Sequence, residues 1–161
     1  MAFCRICTTF ARELIIIKSL KTFEELGVSE EIRRAIEEMG FVQPMPVQEE
    51  VIPYLLGNNI DVIALAQTGT GKTAAFGIPV LQRIASMPRP QLGEFGRGLP
   101  LALVLAPTRE LCLQIADDMR DFAKYLDGIH IEAVYGGASI EQQIRALRCL
   151  FRKIFYYHCC H

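Results

Sequence analysis

The sequence predicts an α/β protein, with a parallel sheet of three recognisable strands flanked by helices. Three observations predict it. The apolar run Ile60, Val62, Ile63, Ala64 and Leu65 leads straight into Ala66 to Thr73, A-Q-T-G-T-G-K-T, a strand running into a phosphate-binding loop. Leu101 to Ala106 is apolar throughout, the pattern of a strand covered on both faces of a parallel sheet. Strand and helix signals alternate along the chain, the order that builds right-handed crossovers.

From Lys21 the elements follow in order. Ser29 with Glu30 and Glu31 caps a helix through about Met39, with Ile32, Ala35, Ile36 and Met39 on one face, and Gly40 ends it. Pro46 starts a second helix through about Leu56, stopped by Gly57-Asn58-Asn59, and Pro53 is expected to kink or shorten it. The first strand covers 60–66, and the loop opens a helix over 72–86. Residues 87–100 hold Pro88, Pro90, Gly93, Gly96, Gly98 and Pro100 and read as a surface loop. Strand 101–106 precedes a helix capped by Thr108 and running to about Tyr125. Ile129 to Tyr135 alternates as a third strand, Gly136-Gly137 turns, and Ser139 caps a helix to about Arg148. No internal repeat is visible.

At 161 residues the chain suits one domain with a core of its own. Hydrophobic content of 51% and charge of 22% exclude a disordered tail protein. A net charge of −1 gives no global basic field, so any nucleic-acid contact has to be local. No apolar run approaches a membrane span, Leu14 to Ile17 being far too short, and no membrane partner is expected. Six Cys beside a phosphate loop argue for a reducing, intracellular setting, taken as cytoplasmic.

Both ends stand apart. Residues 1–20 read as an atypical N-terminal extension with hints of a transit or signal peptide but no convincing cleavage region. Residues 149–161, C-L-F-R-K-I-F-Y-Y-H-C-C-H, break in composition from everything before them. Cys4, Cys7 and the His158-Cys159-Cys160-His161 cluster have zinc chemistry, but such adjacent residues cannot readily share one tetrahedral ion. A truncated or frameshifted reading frame accounts for both ends more simply.

The chemistry concentrates in the loop. Gly69 and Gly71 let backbone N–H groups close around a phosphate without Cβ interference. Lys72 can reach the outer phosphates, the Thr73 hydroxyl is placed to ligate Mg²⁺, and the helix dipole points at the same anion. The strict pattern opens with Gly where this chain has Ala66, and the bland alternative is a Gly/Thr-rich turn between strand and helix.

Three further segments carry a resemblance. Gly40-Phe41-Val42-Gln43-Pro44-Met45-Pro46-Val47-Gln48 resembles the Q motif of DEAD-box RNA helicases, with the isolated aromatic Phe23 lying 17 positions before Gly40. Pro107-Thr108-Arg109-Glu110-Leu111 is similar to that family's motif Ia, and Gly136-Gly137 to its GG motif. The loop Ala66, Gln67, Thr68, Gly69, Thr70, Gly71, Lys72, Thr73 is similar to its motif I, Ala66 included. The match covers roughly Lys21 to Arg148. It implies a partial RecA-like P-loop NTPase domain, the N-terminal lobe of an ATP-dependent RNA helicase that uses ATP and Mg²⁺.

Each motif also has its own physical reading. The Gln48 amide can donate to and accept from one adenine edge, or be an exposed helix glutamine. Phe23 can stack on adenine or cover the first helix from the core. Phe41 belongs to the same motif, and the resemblance places it at the nucleotide. Thr108 and Arg109 sit where a strand meets a helix N-terminus and can hold one nucleic-acid phosphate, or simply cap and solvate the helix. Pro107, Gly136 and Gly137 join the RNA-binding set by resemblance, which has the glycines letting an RNA backbone approach.

The family's Asp-Glu-Ala-Asp is absent; no Asp-Glu pair occurs in the chain. Its Ser-Ala-Thr motif and second RecA-like domain are missing too. The expectation is therefore an ATP-binding part of a helicase, inactive alone, marginally stable, and weak on single-stranded RNA or RNA duplex. The alternative is a non-catalytic adenine-nucleotide or RNA-binding fragment. In the helicase reading, Lys72 and Thr73 would carry the catalytic contacts. A compact P-loop kinase would need an Arg-rich lid, which is not apparent.

Overall fold

The computed structural model describes residues 21–58, 61–87, 100–148 and 152–158 of the chain. Residues 1–20, most of the Pro/Gly-rich stretch at 87–100, and most of the candidate zinc ligands lie outside these. Chain order is α1 (Glu30–Glu38), α2 (Pro46–Gly57), α3 (Lys72–Ser86), β1 (Pro100–Ala106), α4 (Arg109–Phe122), β2 (Ile129–Val134), α5 (Ile140–Arg148) and β3 (Arg152–His158).

Apolar spacing decides which helix faces are buried. Ile32, Ala35 and Ile36 are buried on α1, and Cys112, Ile115, Ala116, Met119 and Phe122 on α4, each set recurring at three- and four-residue steps. The buried residues of α3 include Ala74, Ile78, Leu81 and Ile84. Gly77 lies where α3 meets α4: a Cβ there would fall 2.3 Å from the Met119 sulfur, so a side chain would force the helices apart. Ser29 precedes α1 as expected, but its side chain makes no capping bond. The Gln82 amide holds this entry instead, accepting from Ser29 N at 2.9 Å and donating to Gly27 O at 2.8 Å. Pro53 does not shorten α2, which continues to Gly57. Burial of Gln48 and Ile52 on the same helix outweighs one lost backbone bond.

The sheet is parallel, ordered β1-β3-β2. β3 pairs Val104 with Tyr156 on one side and Ala133 with Tyr156 on the other. α4 contacts all three strands, and Arg120 ties it to β2 by donating from Nη2 to Ile131 O at 3.1 Å.

Two strand expectations need correction. The run before the phosphate loop is no strand: residues 61–67 join no ladder among the described residues, and Ile63 and Leu65 are 93% and 94% exposed. Apolar patterning makes a strand only where another strand supplies hydrogen bonds and a covered face. The sheet's remaining member instead comes from the compositionally odd stretch 149–161, whose residues 152–158 insert between the other two strands. An apolar, aromatic run at that point suits a central strand flanked on both edges.

Candidate functional site

Gly71 is the hinge of the phosphate loop. It takes the left-handed conformation at φ 74° and forms the N-cap of α3, with no side chain capping the helix. The first-turn N–H groups of α3 are therefore not claimed by a cap, the arrangement that binds anions. Gly69 is also left-handed, at φ 77°. The loop is held by its own polar groups. Lys72 Nζ donates to Ala66 O at 2.6 Å and to Gln67 O at 2.8 Å, and Thr70 Oγ1 donates to Gln67 O at 2.8 Å. Thr73 follows in the first turn of α3, and its hydroxyl bonds the carboxyl of Asp118 on α4. Burial pushes that carboxyl above the usual aspartate value, and the Thr73 bond partly offsets the shift.

Gln48 is neither an exposed helix residue nor free. At 2% exposure it is the one buried polar side chain among the described residues. Its Oε1 accepts from Met45 N at 2.9 Å and its Nε2 donates to Gly71 O at 3.1 Å. The amide thus clamps the Q-motif segment to the phosphate loop. A Cβ on Gly71 would lie 2.2 Å from Gln48 Nε2, so the clamp needs glycine there. Each end of the amide keeps one further bonding position. Phe23 sits in the core at 6% exposure and presents little ring to solvent. It nevertheless lines, with Phe41, Val42, Glu24 and Arg33, a cleft of about 230 Å³. Arg33 Nη1 pairs with Glu24 at 2.9 Å, while its buried Nε has no partner among the described residues.

A second constellation forms at the end of the sheet. Thr108 caps α4, accepting from Leu111 N at 3.2 Å. Arg109, the first residue of α4, lays its guanidinium 4.7 Å from the centroid of the Tyr135 ring. Gly137, left-handed at φ 87°, lies beside it: a Cβ there would stand 3.4 Å from Arg109 Nη1. The segments around Arg109 and Gly136-Gly137, far apart in sequence, therefore meet in space. Pro107, Thr108, Gly136 and Gly137 are exposed. The sequence did not single out Tyr135, Gln143 or Asp118. Only the aromatic directly before Gly136-Gly137 was a usable signal, because the others act through tertiary contacts.

A glycine-lysine loop opening a helix beside a parallel sheet, with a guanidinium and paired glycines at the strand ends, is the arrangement of a P-loop α/β domain. Residues 45–158 match the family described as DEAD/DEAH box helicase, and the chain belongs to that family. The match runs past the limit drawn at Arg148 and includes β3. The chain is similar to the ATP-dependent RNA helicase DeaD of Escherichia coli strain K12, at 46% identity over 127 residues, 79% of this chain and 19% of that protein. The same-named protein of Buchnera aphidicola is also 46% identical, over 79% of this chain and 20% of its own length. Among solved structures, a DEAD box protein from the hyperthermophile Methanococcus jannaschii superposes with a TM-score of 0.67 at 36% identity, covering 84% of this chain and 34% of that one. The RNA helicase Prp28 from Chaetomium thermophilum bound to ADP gives 0.69 at 34% identity, covering 84% and 32%. The chain spans about a fifth of the length of the relatives it matches. No helix among the described residues is long and apolar enough to cross a membrane.

Proposed function

We propose that this chain is the ATP-binding part of an ATP-dependent RNA helicase, a partial RecA-like lobe that binds Mg-ATP at one site and an RNA backbone at the other. The observation that carries the reading is the uncapped N-terminus of α3 behind left-handed Gly71, with Lys72 in the same turn. Residues 66–73 would wrap the phosphates, Lys72 exchanging its two loop carbonyls for phosphate oxygens. Mg²⁺ bound with the nucleotide would neutralise phosphate charge, with Thr73 as its ligand from this chain. Gln48 would read the adenine edge with its remaining amide positions, and Phe23 and Phe41 would flank the base from their shared cleft. Lys72 and Thr73 are the residues assigned to the reacting phosphates. Pro107, Thr108, Arg109, Gly136 and Gly137 would hold the RNA backbone, through charge and close approach rather than base identity.

A second reading, binding without turnover, is favoured by the lack of any Asp-Glu pair in the 161 residues. Titration with a fluorescent ATP analogue, followed by an ATPase assay with and without single-stranded RNA, separates the two. Nucleotide binding with RNA-stimulated hydrolysis supports the enzyme reading, and binding without hydrolysis supports the fragment reading. A chain that binds no nucleotide overturns both.

A further inference from the structure

We infer that Gln143 is a positioning residue for the Arg109 phosphate site. The inference rests on the RNA-binding reading above and concerns how that site is held together.

Tyr135 lies one residue beyond the β2–β3 ladder, whose last pair is Val134 with Tyr157. Its backbone N–H and C=O have left the sheet, and the Gln143 side chain takes both. Gln143 Oε1 accepts from Tyr135 N at 3.0 Å and its Nε2 donates to Tyr135 O at 3.2 Å. A side-chain amide presents one donor edge and one acceptor edge much as a peptide group does, so Gln143 extends the strand's hydrogen bonding by one residue. Gln143 is itself fixed at the start of α5, where its N–H bonds Ser139 O at 3.1 Å and Ser139 Oγ accepts from Gln142 N at 3.4 Å.

Holding the Tyr135 backbone has two consequences at Arg109. It sets the ring on which the guanidinium rests, and it sets where the Gly136-Gly137 turn begins, next to Arg109 Nη1. Arg109 makes no ion pair among the described residues. Ring stacking leaves the edge N–H groups of the guanidinium in its own plane and free for a phosphate. Without the Gln143 clamp, Tyr135 and the turn would move, and Arg109 would lose its platform although no residue in contact with RNA had changed.

The test uses the full chain with a fluorescently labelled single-stranded RNA, its anisotropy followed over a salt series. The unsubstituted chain is compared with Gln143→Ala, Arg109→Ala and the double variant, with binding of the fluorescent ATP analogue as control. Arg109→Ala should lower the slope of log affinity against log salt by about one, the mark of a lost phosphate contact. Gln143→Ala should weaken RNA binding by about three- to tenfold and move the slope in the same direction. In the Arg109→Ala background it should add nothing further, because it acts through Arg109. A general loss of structure would add fully and would also reduce nucleotide binding. Should Gln143→Ala unfold, Gln143→Glu carries the same comparison, keeping an acceptor for Tyr135 N and losing the donor to Tyr135 O. RNA binding that ignores Gln143, or effects that add fully, overturn the inference alone. An unsubstituted chain that binds no RNA overturns the RNA-binding reading and the inference with it.

Discussion

The runs at 61–66 and 129–134 both read as strands in the sequence and end in opposite environments. In β2, Ile131 and Ala133 are buried at 8% and 7% exposure, whereas Ile63 and Leu65 stand almost fully in solvent. β2 has β3 alongside and α4 packed against it. The segment before the phosphate loop joins no strand among the described residues. Apolar patterning therefore states a capacity to be a strand, and the neighbour decides whether it is used. The difference extends to how each functional loop is fixed. The glycine turn after β2 inherits its position from the sheet, extended by Gln143. The phosphate loop is fixed by polar clamps, from Gln48 to Gly71 and from Lys72 to Ala66 and Gln67.

The largest expected effect tests that contrast directly. Ile131→Ala removes a buried side chain from the face under α4 and should lower unfolding free energy by about 2–4 kcal/mol. Ile63→Ala, the same chemical change, should stay within about 0.5 kcal/mol. Urea denaturation of both variants measures the pair. Equal losses would mean that 61–67 is packed as a strand in solution and would remove the contrast.

Next comes the clamp. Gly71→Ala puts a Cβ into Gln48 Nε2 and a non-glycine residue at φ 74°. Backbone strain alone should amount to about 1–2 kcal/mol. Gln48→Ala leaves Met45 N and Gly71 O without their partner, at a cost of about 1–3 kcal/mol. Both should weaken nucleotide binding, because each displaces the loop. Intact nucleotide affinity in Gly71→Ala would show that the loop is not held by this contact. Lys72→Ala separates chemistry from fold. Its side chain is exposed and bonds only loop carbonyls, so stability should shift by no more than about 0.5 kcal/mol. Affinity for the ATP analogue should fall roughly ten- to hundredfold. An unchanged affinity would contradict the assignment of Lys72 to the phosphates.

The sequence showed the helices well because their buried faces follow a local period, as at Ile32, Ala35 and Ile36. It showed the turn into α3 because glycines free to go left-handed, at Gly69 and Gly71, are themselves local geometry. It failed where partners decide. Nothing local marks 61–66 as unpaired, and the odd composition of 149–161 concealed a strand that sits between two others. The dual role open to Gln48 was hidden for the same reason: its clamp to Gly71 spans 23 residues. The meeting of Arg109 with Gly137 was likewise invisible, since sequence supplies each segment but not their contact.

The smallest effect belongs to a contact that neither sheet nor loop requires. Glu38 on α1 accepts from Lys124 Nζ at 2.5 Å and from the Tyr125 hydroxyl, with Arg34 Nε at 3.8 Å. The Lys124 hydrogen bond, then that of Tyr125, holds the Glu38 carboxyl below its ordinary 4.5. The same bond raises Lys124 above its ordinary 10.5. A depressed acid stabilises the fold above pH 4.5, and that contribution is lost as pH falls through the folded-state value. A raised lysine stabilises below pH 10.5, and that contribution is lost as pH rises through its folded-state value. Because the groups are exposed, salt screens them and the effect is small. Glu38→Gln should therefore shift thermal stability slightly at neutral pH, flatten its decline in acid, and leave nucleotide and RNA binding unchanged. Concentrated salt should narrow the gap between variant and unsubstituted chain. An identical acid profile in the two would show that the Glu38–Lys124 ion pair is not formed in solution. A matching loss of nucleotide affinity would show instead that α1 is coupled to the phosphate loop, and the loop's polar clamps would then not be sufficient to hold it.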